Sequence, residues 1–195
     1  NERVFLFLHY MKTIGNRITF EDTPKRTTVV ITPDKHILTN VLMGAWLAMW
    51  YAIGFVVVWS IFVLSLTEQE SIILYIFLVF WLYYAVRISK SFFWILYGKE
   101  LIKVDSDALH IKKSVMTYGK AIPYLFDNIK DLQFEVPEAR SLQSVWESSP
   151  WINGGERFSF IYFGKVKKFG RKLNEKDAHL LFNLLTNKIK KFRKK

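Results

Sequence analysis

The residues best suited to chemistry are scattered along the chain. The four histidines, His9, His36, His110 and His179, lie far apart, none stands three or four positions from another, and there is no cysteine. A zinc site needs imidazole or thiolate ligands gathered at such spacings, so no metal site is read. Asp105 and Asp107 could pair as carboxylates, but they bracket Ser106 in what reads as a turn, where short acids serve the backbone. Gly154-Gly155 is not followed by the Lys-Ser/Thr of a phosphate cradle, and no Gly-x-Ser-x-Gly element occurs. These residues predict a chain that is not an enzyme, with no catalytic residue, no cofactor and no small-molecule substrate identified.

The elements that carry these residues are set by a segregation of charge from apolar side chains. The 195 residues hold 28 Lys and Arg against 17 Asp and Glu, a net charge of +11, yet 51% are hydrophobic. Between His36 and Val86 there is no Lys or Arg, and the only acids are Glu68 and Glu70. An apolar block flanked by cations excludes an ordinary soluble globule, and the absence of cysteine excludes a disulfide scaffold. Residues 41–66 form one apolar run of 26 residues, about 39 Å as a helix, enough to cross a hydrocarbon core of about 30 Å. A second run covers about 72–97, and the short acidic link Thr67-Glu68-Gln69-Glu70-Ser71 makes the two an antiparallel hairpin. Lys25, Arg26 and Lys35 precede the hairpin and Arg87, Lys90, Lys99 and Lys103 follow or end it, so the positive-inside rule places both termini in the cytoplasm. Residues 4–8 are too short for a signal-peptide core, so no export signal is read.

Within the spans, Arg87 has two readings. It is either a buried functional charge or, with Lys90, Tyr83 and Tyr84 facing Trp46, Trp50 and Tyr51, part of an aromatic and cationic belt at the membrane interface, beyond which the helices continue as a stalk. Gly44, Ala48 and Ala52 recur every four residues and mark a face for close helix packing, either on the second helix or on another chain.

The polar part reads as short strands. Thr27-Thr28-Val29-Val30-Ile31-Thr32 precedes the hairpin; runs at 101–104, 109–112, 115–118, 122–126, 129–136, 157–163 and 166–169 follow it. Gly164-Lys165 is read as the turn of the last hairpin. Asn174 then caps a helix whose Ala178, Leu181, Phe182, Leu185 and Ile189 form one apolar stripe. The order predicted is one strand, two membrane helices, six or seven strands and a helix.

In that order the motifs resemble a family of bacterial membrane proteins in which a pleckstrin-homology-like (PH-like) domain is joined to a two-helix hairpin. Val29-Val30-Ile31-Thr32-Pro33 is followed by Trp46 and Trp50, then by Trp94-Ile95-Leu96-Tyr97-Gly98-Lys99-Glu100, by Phe160-Ile161-Tyr162-Phe163-Gly164-Lys165 and by Lys168-Phe169-Gly170. The resemblance covers residues 18–189. It implies an α+β membrane protein: a two-helix transmembrane hairpin inserted, after the first strand, in a PH-like antiparallel split barrel with a C-terminal capping helix. The organisation is then 1–35 with the first strand, 36–98 for the hairpin and 99–195 for the cytoplasmic PH-like domain and its basic tail. Such domains serve mainly in binding and assembly.

Two regions outside the barrel carry the partner expectations. Residues 137–155 form a long connection bearing Trp146 and Trp151, which reads either as a partner-binding loop or as side chains packed back on the barrel or dipped into the membrane surface. Lys188, Lys190, Lys191, Arg193, Lys194 and Lys195 form a basic tail suited to anionic headgroups, or a merely solvated one; nucleic-acid binding is not expected. The resulting expectation is a scaffold or accessory subunit in the bacterial inner membrane, partnered by membrane proteins or by copies of itself. Anionic-lipid sensing is the alternative, and a transport role through Arg87 a third.

Overall fold

Thr27 to Ile31 alternate buried and half-buried, with Thr27, Val29 and Ile31 inside, as period-two β-branched residues require. They form the third strand of an α+β chain. The computed structural model describes residues 11–34, 36–135, 141, 142, 145, 149, 151 and 154–193. In order the elements are β1 (Met11–Ile14), β2 (Ile18–Asp22), β3 (Thr27–Ile31), α1 (Ile37–Val63), α2 (Glu68–Tyr97), β4 (Gly98–Val104), β5 (Ala108–Val115), β6 (Ala121–Leu125), a 3-10 turn (Phe126–Asn128), β7 (Ile129–Phe134), β8 (Glu156–Tyr162), β9 (Lys165–Arg171) and α3 (Glu175–Arg193). The chain divides into two compact units, Asn1–Asp34 with Tyr97–Lys195, and Lys35–Leu96.

In the first unit every strand pairing is antiparallel. β1 to β6 form a six-stranded sheet in sequence order, and β7 to β9 a three-stranded one. Because β3 pairs with β4, with Ile31 opposite Glu100, the chain leaves for the helices and returns from them at one end of neighbouring strands. The core gathers Val29, Ile102 and Leu109 from the large sheet, Phe158, Phe160 and Phe169 from the small one, and Ala178, Leu181, Leu185 and Phe192 from α3. α3 starts where Asn174 accepts the Asp177 N–H through Oδ1 at 2.7 Å.

The structure departs from the sequence reading in specific places. Among the described residues three strands, not one, precede the helices: β1 and β2 are short and lack the β-branched run that reveals β3. The 115–118 run is not a strand but a tight reversal, Val115 and Tyr118 exchanging two backbone bonds of 3.0 and 3.1 Å. The last hairpin turns at Phe163-Gly164, one residue earlier than read; Tyr162 faces Lys165, and both turn residues have positive φ, 48° and 71°.

The second unit holds two long apolar helices, each long and apolar enough to cross a membrane. Both start four residues before the predicted bounds, and α1 also stops three residues early, whereas α2 ends at Tyr97 as expected. α1 begins at Ile37 and ends at Val63; α2 begins at Glu68 because Thr67 and Glu70 form a capping box. The Thr67 N–H and hydroxyl each donate to Glu70 Oε2 at 2.8 Å, so the acids taken for a turn open the helix instead.

Candidate functional site

The two helices meet through aromatic side chains. The Trp50 Nε1–H donates to the Trp81 carbonyl at 3.3 Å, and the Trp81 Nε1–H returns a bond to the Trp50 carbonyl at 2.9 Å. An indole N–H needs a partner when it leaves water, and here each helix supplies one to the other. Trp46 stacks on Trp50 with centroids 5.1 Å apart, and the Tyr51 and Ser89 hydroxyls hydrogen-bond at 2.8 Å. Gly54 makes room for this: a Cβ there would lie 2.1 Å from the Trp81 ring.

This geometry splits the small-residue stripe. Gly44 faces Phe92 of α2, within 3.3 Å of where its Cβ would be, whereas Ala48 and Ala52 are exposed. Arg87 is also exposed, its Nη1–H donating to the Tyr83 hydroxyl one turn back at 2.8 Å, and Lys90 is exposed beside it. Only 17% of the most apolar stretch of α1 and 6% of that of α2 is buried.

In the β unit a polar junction ties the two sheets. Glu100 of β4 is buried, and its Oε2 accepts the N–H groups of Gly170 at 2.9 Å and Arg171 at 3.2 Å, on β9. Its Oε1 is buried without a hydrogen-bond partner; the Lys113 ammonium lies 4.0 Å away and bonds Glu156 at 3.0 Å. Burial raises the Glu100 carboxyl above the usual range, against the pull of Lys113 and of the two N–H groups. Arg17 closes the same end, donating to the carbonyls of Thr32 at 2.8 Å, Arg171 at 3.2 Å and Lys172. Lys172 donates to the Ser149 carbonyl at 2.5 Å, and burial, with the charges of Arg171 and Arg17, lowers its ammonium to about 8.

With known proteins the chain shows no match: no family model, no curated protein and no solved structure is similar to it.

The other residues named from sequence are dispersed. Trp151 is half-buried; Trp146, Lys194 and Lys195 lie outside the described residues. What was read as a tail is helix up to Arg193, because Phe192 is drawn into the core. Lys188 is half-buried and pairs with Asp22 at 2.6 Å, while Lys190, Lys191 and Arg193 are exposed. Burial works to raise the Asp22 carboxyl, but hydrogen bonds from Lys188 and Thr27 outweigh it and hold it low. Among the described residues, no three His, Asp or Glu side chains converge on a metal-sized site. Asp105 bonds its own turn and His110 at 2.9 Å. Sequence reasoning missed Glu100, although a strand begun at Gly98 puts it in step with the buried Ile102 and Val104.

Proposed function

We propose that the chain is a membrane-anchored scaffold or accessory subunit, non-enzymatic, whose helices cross a bacterial inner membrane and hold a PH-like domain on the cytoplasmic face within a larger complex. The observation that carries this is the exposure of α1 and α2: helices of about 40 and 45 Å, largely apolar, whose most apolar stretches are only 17% and 6% buried even where the two pack on each other. Burying such a surface in lipid is favourable, whereas water would leave a patch far larger than soluble chains carry. The cation distribution supports the orientation. The seven strands from β3 to β9, divided four and three and followed by α3, support the PH-like reading, with β1 and β2 extending the first sheet. Exposed Ala48 and Ala52 supply a close-approach face for a partner helix.

The exposed Lys190, Lys191 and Arg193 favour a second reading, in which α3 engages anionic headgroups. Transport through Arg87 has less support, since that side chain is exposed and its Nη1–H donates to Tyr83 on its own helix.

Gentle detergent extraction of the full chain, followed by sizing and identification of what stays bound, tests the proposal. Defined proteins in stoichiometric amounts, released by Ala48→Leu with Ala52→Leu, are the expected result. A chain that emerges alone, or with anionic lipid only, overturns the subunit reading.

A further inference from the structure

We propose that the turn between β5 and β6 is a second membrane contact, its Met116 and Tyr118 seated in the headgroup layer of the leaflet that the helices enter. The inference rests on the membrane-anchored reading above and deepens it. Both connections to the helices leave the six-stranded sheet at one end, where β3 finishes and Tyr97 passes directly into β4. The turn sits at that same end: Gly98 pairs with Val115, and the Met116 N–H donates to the Tyr97 carbonyl at 3.0 Å. Its tip is therefore one strand spacing, about 5 Å, from the chain that emerges from α2.

The turn has the composition of an interfacial anchor. Tyr118 is 82% exposed and Met116 54%, with Ile122 exposed behind them. An aromatic with a polar tip and a flexible thioether suit the headgroup boundary, where one end is apolar and the other wet. Lys112 reaches the Thr117 carbonyl at 3.5 Å, and Lys99 and Lys120 are exposed nearby, a cationic collar for anionic lipid. At the opposite end, the β4–β5 turn is Asp105-Ser106-Asp107, of the wrong charge for that surface. Met116 also holds φ at +56°, a left-handed conformation that glycine adopts without cost, so the turn keeps a large apolar side chain at its tip against backbone preference.

Helix length points to the same depth. At about 40 and 45 Å, α1 and α2 match a bilayer including its headgroups, about 40–45 Å, rather than its hydrocarbon core alone. Ile37, Leu38, Val41 and Leu42 are exposed in the first turns of α1, as are Phe93 and Tyr97 near the end of α2, apolar side chains that suit lipid close to both helix ends.

The natural sequence has no cysteine, so one introduced thiol reports one place. Thr117→Cys, Ser106→Cys and Val79→Cys in the full chain are each labelled with a polarity-sensitive NBD dye and reconstituted into phosphatidylcholine vesicles containing a phosphatidylglycerol minority. Doxyl quenchers are placed either near the headgroup or deep in the acyl chain. The expected result is that the Thr117→Cys label loses most of its emission to the shallow quencher and little to the deep one. The Ser106→Cys label loses little to either, and Val79→Cys loses emission to the deep quencher. A Thr117→Cys label as unquenched as Ser106→Cys, with Val79→Cys still quenched, overturns this contact alone. If Val79→Cys is not quenched, the membrane reading fails and this inference with it.

Discussion

Glu100 is a buried carboxyl with two backbone donors and one bare oxygen, and its protonation is linked to folding. Its folded pKa is raised, so between the ordinary value of 4.5 and that raised value the folded chain holds more proton than the unfolded one. The contribution is fully present below 4.5 and is lost as pH rises through the folded pKa. Glu100→Gln, which keeps a carbonyl for Gly170 and Arg171 but cannot ionise, is expected to remove that loss. Thermal unfolding of parent and variant at stepped pH reads the difference, which grows with pH in this window; parallel profiles contradict the assignment. Glu100→Ala removes the acceptor of the buried Gly170 N–H and the half-buried Arg171 N–H and is expected to cost about 2–4 kcal/mol, read by denaturant unfolding. This residue was within reach of the sequence by strand parity, once β4 is begun at Gly98. Its partners were not, because Gly170 and Arg171 are 70 and 71 positions away and only the pairing of sheets brings them near.

The helices differ in what their side chains were able to disclose. α1 and α2 were legible from length and hydropathy, and α3 from its stripe, because each pattern is local. The four-residue shift at the start of α2 came from reading Thr67 and Glu70 as turn residues; their capping geometry is a pairwise fact that composition hides. Which face of α1 meets α2 was also hidden, since Trp50 and Trp81 set the pairing and Gly54, not the Gly44-Ala48-Ala52 stripe as a whole, makes space for it. Gly54→Val is accordingly expected to lower the unfolding temperature of the detergent-solubilised chain, while Ala52→Leu leaves it unchanged; equal loss in both would contradict the observed face. In α3, Phe192→Ala opens the core at the last turn and is expected to cost about 3 kcal/mol by denaturant unfolding, an effect no solvated tail would produce.

At the scale of the whole molecule, strand insertion decides what the architecture can do. The helices interrupt the chain between two paired strands, so the hairpin joins the sheet by two covalent connections at one end rather than by one. The segregation of charge made this division legible, whereas β1 and β2 were hidden because their strand formers come only two and three at a time, Thr13-Ile14 and Ile18-Thr19-Phe20, too few to show a pattern. The central claim is that this hairpin crosses a membrane with the β unit on the cytoplasmic side. It is tested most directly by the reaction of a membrane-impermeant maleimide with single cysteines in intact and permeabilised cells. Gln69→Cys at the helix link is predicted to react in intact cells, and Ser106→Cys in the β unit only after permeabilisation. Equal reaction of both in intact cells, or of neither until permeabilisation, would contradict the account.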